Sequence, residues 1–149
     1  MTEIRFYHLQ TQTPEAALPQ ILQKALAGER RIVIRMADDK AVEKLNDLLW
    51  TFSASSFLPH GSRKDGFAED QPIWLTDKDE NPNQADVLIL TDGVSSENVA
   101  DYKLCCEMLD GRDGEAVKAA REKWKSYKES GYEVTYWQQN EKGGWDKKA

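Results

Sequence analysis

The chain has 149 residues, a length that suits one domain able to bury roughly 68–70% of its unfolded surface. Its 40% hydrophobic and 31% charged residues are those of a globular protein with a hydrophilic exterior. A formal net charge of −6 argues against wholesale binding to nucleic acid, which needs a basic surface, but leaves room for a local basic patch.

In chain order, Ile4-Arg5-Phe6-Tyr7-His8-Leu9 reads as a first strand. Thr13 is a good N-cap followed by Pro14 at the first helical position, and Ala17, Leu18, Ile21, Leu22, Ala25 and Leu26 mark a helix face that Gly28 ends. Arg31 to Met36 is a second strand, rich in β-branched residues. A second helix runs from about Asp39 to Trp50, with Val42, Leu45, Leu48 and Leu49 at helical spacing. Phe52 to Arg63 has no clear period.

Ile73-Trp74-Leu75-Thr76 makes a short strand, and a polar turn containing Pro82 follows it. Val87 to Thr91 is almost wholly apolar, the mark of a central strand covered on both faces. Leu104 to Leu109 is ambiguous by period and leans towards a strand. Asp113 caps a long helix from Gly114 to about Ser130, Gly131 stops it, and Tyr132 to Trp137 closes the domain as an alternating strand. Helices alternating with strands imply an α/β sandwich with a mostly parallel sheet, one domain over residues 1–137. The polar, lysine-containing residues 138–149 read as a flexible C-terminal tail.

No stretch approaches the roughly 20 apolar residues that span a bilayer, and the N-terminus lacks the basic and apolar regions of a secretory signal. Cys105 and Cys106 are adjacent, so a disulfide between them is geometrically unfavourable; they read as buried thiols in a reducing cytoplasm. The first strand–helix junction, Gln10-Thr11-Gln12-Thr13-Pro14, contains no glycine, and neither GxGxxG nor GxxxxGK[ST] occurs in the chain. A phosphate cradle needs such glycines so that backbone N–H groups can approach the ligand. His8 and His60 have no spacing that suggests a metal site, and no GxSxG elbow is present. The expectation is no catalytic residues, no metal and no cofactor.

Two segments look like binding surfaces. On the last helix, Val117, Arg121, Trp124, Lys125 and Lys128 share one face at i, i+3 and i+4 spacing. One reading is a solvated lysine-rich helix with Trp124 tucked into the core. The other is a pocket for an acidic peptide with an apolar end: an arginine fork for a carboxylate, an indole wall, and lysines that steer the ligand. The second segment gathers Trp50, Phe57, Leu58, Pro59 and His60 in a stretch without pattern. It is either a loop folded over the sheet edge or an apolar patch for a partner protein.

At these segments the chain resembles the chi subunit family of bacterial DNA polymerase III holoenzymes. Leu48-Leu49-Trp50 followed by Ser56-Phe57-Leu58-Pro59-His60-Gly61 is similar to that family's LW…SF(V/L)PH signature. Ala120 to Lys128, closed by Gly131-Tyr132, resembles its ARERYKxYR…GF helix, and Phe6-Tyr7-His8-Leu9 and Val87 to Leu90 fit as well. The likeness runs nearly the whole chain, ending near Trp137. It implies a Rossmann-like three-layer sandwich without a nucleotide-binding loop, and a non-catalytic, cytoplasmic replisome adaptor. The partners it implies are the acidic, phenylalanine-ended C-terminal tail of single-stranded DNA-binding protein and the psi subunit of the clamp loader. No membrane and no specific nucleic acid contact is implied, and the chain would be a monomer within a heterodimer.

By motif position, Arg121 meets the terminal carboxylate of the tail, Trp124 replaces the family's tyrosine in the apolar wall, and Lys125 faces the acidic residues, with Val117 and Lys128 beside them. Trp50, Phe57, Leu58 and Pro59 fall on the psi-binding surface. The chain departs from the pattern at Val117, where the family often has lysine, between Asp101 and Gly114, and beyond Trp137. Outside the family, the alternative is a small nucleotide-dependent or nucleic-acid-modifying enzyme.

Overall fold

The first strand, β1 (Glu3–Leu9), leads through α1 (Pro14–Ala27) to β2 (Ile32–Arg35), and α2 (Asp39–Thr51) leads on to a two-residue strand, β3 (Gly61–Ser62). The chain continues through β4 (Ile73–Thr76), β5 (Val87–Leu90), β6 (Leu104–Asp110), α3 (Gly114–Glu129), β7 (Glu133–Gln139) and β8 (Trp145–Lys147). The computed structural model describes residues 2–51 and 59–149. Among these the strands form one sheet in the order β3-β4-β2-β5-β6-β1-β7-β8. Every neighbouring pair is parallel except β7 and β8.

Local chemistry sets the helix ends where the sequence places them. Thr13 accepts a hydrogen bond from the Ala16 N–H, Pro14 occupies the first turn without needing a donor, and the Gly28 N–H closes on Lys24 and Ala25 carbonyls. Asp113 accepts from the Glu115 and Ala116 N–H groups and starts α3 in the same way.

Because strand side chains alternate, the sheet sorts its apolar residues into two cores. Ile32, Ile34, Ile73, Leu75, Val87, Ile89, Cys106 and Met108 meet Leu18 and Leu22 of α1 and Val42, Leu45 and Leu49 of α2. Val33, Trp74, Leu88, Leu90, Ile4, Phe6 and Cys105 turn the other way and meet Ala120 of α3. The fold is therefore α/β around a mostly parallel mixed sheet, with α1 and α2 on one face and α3 on the other. Two-sided burial also explains why Leu104 to Leu109 has no clear period: Cys106 and Met108 serve one core while Cys105 and Leu109 serve the other. Both cysteines are free and buried, and burial pushes their thiols up.

After Trp137 the chain continues the sheet. The last parallel strand continues to Gln139, turns at Gly143 (φ 83°), and Trp145 to Lys147 pair antiparallel with it. Gln139, 1% exposed, accepts from the Gln10 and Thr11 N–H groups and the Thr11 hydroxyl. Trp145 sets its ring edge-on to Tyr7 at 5.0 Å. Contacts this distant in sequence leave no local pattern.

Close packing at the β6–α3 junction depends on a missing side chain. A Cβ at Gly111 would run into the His8 imidazole and lie 2.6 Å from the Leu9 carbonyl oxygen. Gly111→Ala should lower the unfolding free energy by about 1–3 kcal/mol, measured by urea denaturation.

Candidate functional site

The α3 face is built on an aromatic cluster rooted in β1. Phe6 is fully buried, and its ring centroid lies 5.8 Å from Trp124, 6.0 Å from Tyr127 and 5.8 Å from Tyr136. Trp124 also meets Tyr136 edge-on at 5.8 Å. The indole is therefore half-buried: one side is held by Phe6 and Tyr136, while the ammonium of Lys128 sits 5.2 Å above its ring. Arg121, Lys125 and Lys128 are exposed, and Val117 leans partly into the core. The two readings of the helix thus meet in one geometry, with an indole anchored inward beneath three outward cations.

Two residues outside the α3 motif complete this patch. His8 Nδ1 is 2.7 Å from the Tyr136 hydroxyl. Burial lowers the His8 pKa first, and the Arg121 charge lowers it further, against a smaller opposing pull from Asp110. Arg121 likewise favours the phenolate of Tyr136, although burial outweighs it and the phenol is raised. Arg121 therefore lies near enough for its charge to be felt by both His8 and Tyr136. Tyr136 lies on an alternating strand and His8 on another, so only their parallel pairing and the α3 crossover bring them to Arg121.

The cleft at the carboxyl ends of the strands has different chemistry. It is a cavity of about 530 Å³, where doubly wound folds commonly hold their ligands. Glu15, Asp92, Glu107, Asp110, Asp113 and Glu115 line it, with Lys123 as the one cation among the described residues. Lys123 is already engaged, donating to Glu107 at 3.0 Å and to the Val94 carbonyl at 2.6 Å. Such a wall repels phosphate, and the glycine-free loop beside it gives no cradle. This sign of charge disfavours the nucleotide-enzyme alternative. Among the described residues no cluster of metal-ligating side chains occurs.

Glu107 is buried and also accepts from the Tyr127 hydroxyl at 2.6 Å. Burial holds its carboxyl above the ordinary range despite Lys123 and Tyr127, so the folded state keeps that proton better than the unfolded chain does. The resulting contribution favours folding at acid pH and is lost as pH rises through and above the ordinary carboxylate range.

Of the second predicted surface, Trp50 is 52% exposed at the end of α2, with its ring 4.7 Å from that of His60. Pro59 is half-buried, and Phe57 and Leu58 lie outside the described residues. Phe67, which the sequence reading passed over, is 79% exposed in the connection from β3 to β4. Large exposed apolar side chains thus stand on both chain segments flanking the edge strand β3.

Comparison with known proteins decides what this arrangement belongs to. Residues 1–135 match the model of the family described as DNA polymerase III chi subunit, HolC. The chain belongs to that family. A probable DNA polymerase III subunit chi of Rickettsia prowazekii (strain Madrid E) is 36% identical over 90 residues, covering 60% of this chain and 54% of that protein. The DNA polymerase III subunit chi of Pseudomonas aeruginosa (strain PAO1) is 25% identical over 135 residues, covering 89% of this chain and 93% of its own length. The chain thus spans about half of the Rickettsia relative and nearly all of the Pseudomonas one. Chi proteins are accessory subunits of the replicative polymerase, so the chain's setting is DNA replication. No described helix is long and apolar enough to cross a membrane.

Two measurements check the geometry. In an NMR titration His8 should ionise below its ordinary 6.5, and Arg121→Ala should raise its pKa; an unchanged value would separate the two side chains. Lys123→Met should cost about 3–5 kcal/mol by leaving Glu107 buried without its cation, whereas Glu107→Gln should cost far less in the same denaturation assay.

Proposed function

We propose that this chi-family chain is a non-catalytic adaptor that ties single-stranded DNA-binding protein to the clamp loader. The acidic C-terminal tail of the former docks on α3, and the psi subunit docks near Trp50 and Pro59. The observation that carries this reading is the exposed guanidinium of Arg121 beside an indole held from behind by Phe6 and Tyr136. A terminal carboxylate takes the Arg121 fork, an aromatic end lies against the Trp124 edge, and acidic residues further back face Lys125 and Lys128.

Lysine at position 117 would add one more cation; Val117 instead adds apolar surface, and His8 and Tyr136 supply the polar rim. The chemistry is therefore binding alone, with no bond made or broken. Its setting is the cytoplasmic replisome, and the arrangement of helices on both sheet faces supports the Rossmann-like sandwich that the family resemblance implies.

For psi, the support is the pair of exposed rings at Trp50 and Phe67 flanking a two-residue edge strand. Short edge strands resist uncontrolled pairing, so a partner here would be recognised through side chains as much as through backbone. Affinity for one tail should be modest, in the micromolar range (about −8 kcal/mol), and multiplied in effect by the many tails on one coated strand.

Calorimetry with an acidic peptide ending in phenylalanine tests the reading. Arg121→Ala should lose about 2 kcal/mol of binding or more, and deleting the peptide's last residue should do the same. Trp50→Arg should leave that affinity intact while weakening capture of psi. Equal peptide affinity in Arg121→Ala and the unaltered chain would reject the assignment.

A further inference from the structure

On the sheet face that carries α1 and α2, the aromatic side chains at the β1–β7–β8 end are only half-buried among the described residues. Tyr7 lies on this face with Leu9, and its register partner Trp137 points the same way, as does Trp145 from the terminal hairpin. Where this face meets the end of α1 there is a cleft of about 470 Å³. Its floor is apolar, with Ile21, Leu104 and Cys106, and its aromatic wall is the edge-on pair of Tyr7 and Trp145.

Its rim is basic. Arg5, Lys24, Arg30 and Lys103 line it against a single carboxylate, Glu3. Arg5 is forked onto Glu3 at 3.1 Å, and Lys103 reaches Asp86 only at 3.9 Å. Lys24 and Arg30 are exposed and make no ion pair among the described residues. Arg5 and Arg30 both line the cleft whose floor holds Cys106. This concentration of positive charge stands in a chain whose total is −6, at the opposite end of the strands from the acidic cavity.

We propose that this cleft holds single-stranded nucleic acid, one base against Tyr7 and Trp145 and the neighbouring phosphates on Lys24, Arg30 and Lys103. Rings beside spaced cations on a sheet face are the elements of sequence-independent strand binding. An acidic peptide end fits less well: it wants a guanidinium fork directly against the aromatic wall, and Arg5, the arginine on the sheet beside Tyr7, is already closed by Glu3, which leaves only Arg30, beyond the end of α1, without an ion pair among the described lining residues. The remaining cations are spread along the end of α1 and the start of β6, as successive phosphates require. The inference is independent of the tail-binding reading, because Arg121 and Trp124 lie on the other face of the same strands. A chi-type adaptor could then hold the protein coat on one face and touch the coated strand with the other.

The test is fluorescence anisotropy of a labelled oligo-dT with the full chain at low salt. Binding should weaken steeply with added salt, and Lys24→Glu with Arg30→Glu should reduce affinity about tenfold or more. Trp145→Phe should remove the tryptophan quenching that accompanies binding, while Arg121→Ala should bind like the unaltered chain. Circular dichroism checks the fold of each variant, and Lys103→Glu stands in if the double variant is unfolded. No binding at low salt would overturn the proposal. So would equal binding by the charge-reversed variants, loss in Arg121→Ala, or displacement of the oligonucleotide by an acidic peptide from a chain carrying Arg121→Ala.

Discussion

Phe6 is the side chain on which the arrangement depends. It sits fully buried in a central strand of the sheet, and its ring is shared by Trp124 and Tyr127 of α3 and by Tyr136 of β7. Aromatic pairs at such spacing contribute about 0.5–1.5 kcal/mol each beyond the area they bury. More important than the energy is the rotation it imposes. With Trp124 and Tyr127 turned towards Phe6, the helix has no freedom about its axis, and Arg121, Lys125 and Lys128 are left facing water. A cationic face on α3 is thus the consequence of an apolar contact beneath it.

The distribution of charge then separates the molecule's surfaces. Carboxylates crowd the cleft at the carboxyl ends of the strands, the place where folds of this class usually receive a phosphate. Cations gather instead on α3 and at the amino ends of the strands. A net charge of −6 conceals this polarity, since a sum carries no position. Two independent features disfavour a phosphate there, the absence of glycine between Gln10 and Pro14 and the sign of the field. The family's role is that of an accessory subunit of DNA polymerase III.

Surfaces placed on opposite faces of β1 and β7 can be occupied together. Tyr136 and His8 look towards α3, while Tyr7 and Trp137 look the other way, so one pair of strands backs both. Trp50 and Phe67 stand near the far edge of the sheet, flanking β3. The adaptor role proposed above would use such separation: partners that share a surface compete, whereas partners on separate faces are tethered and gain from a raised effective concentration.

The sequence by itself determined the helices, most strands and the family. Thr13 with Pro14, Asp113, Gly28 and Gly131 are local signals whose physics acts within a few residues, and the apolar run of Val87 to Leu90 can only be a covered strand. Arg121, Trp124, Lys125 and Lys128 were legible as one face because helical spacing is local too. Only the tertiary structure decided what that face rests on and what stands beside it. His8 reaches Tyr136 across 128 residues, Trp145 reaches Tyr7 through a hairpin, and Gly111 is required by a histidine far behind it in the chain. Those contacts are set by strand order, and strand order depends on how two opposite cores are filled at once, which no window of sequence contains.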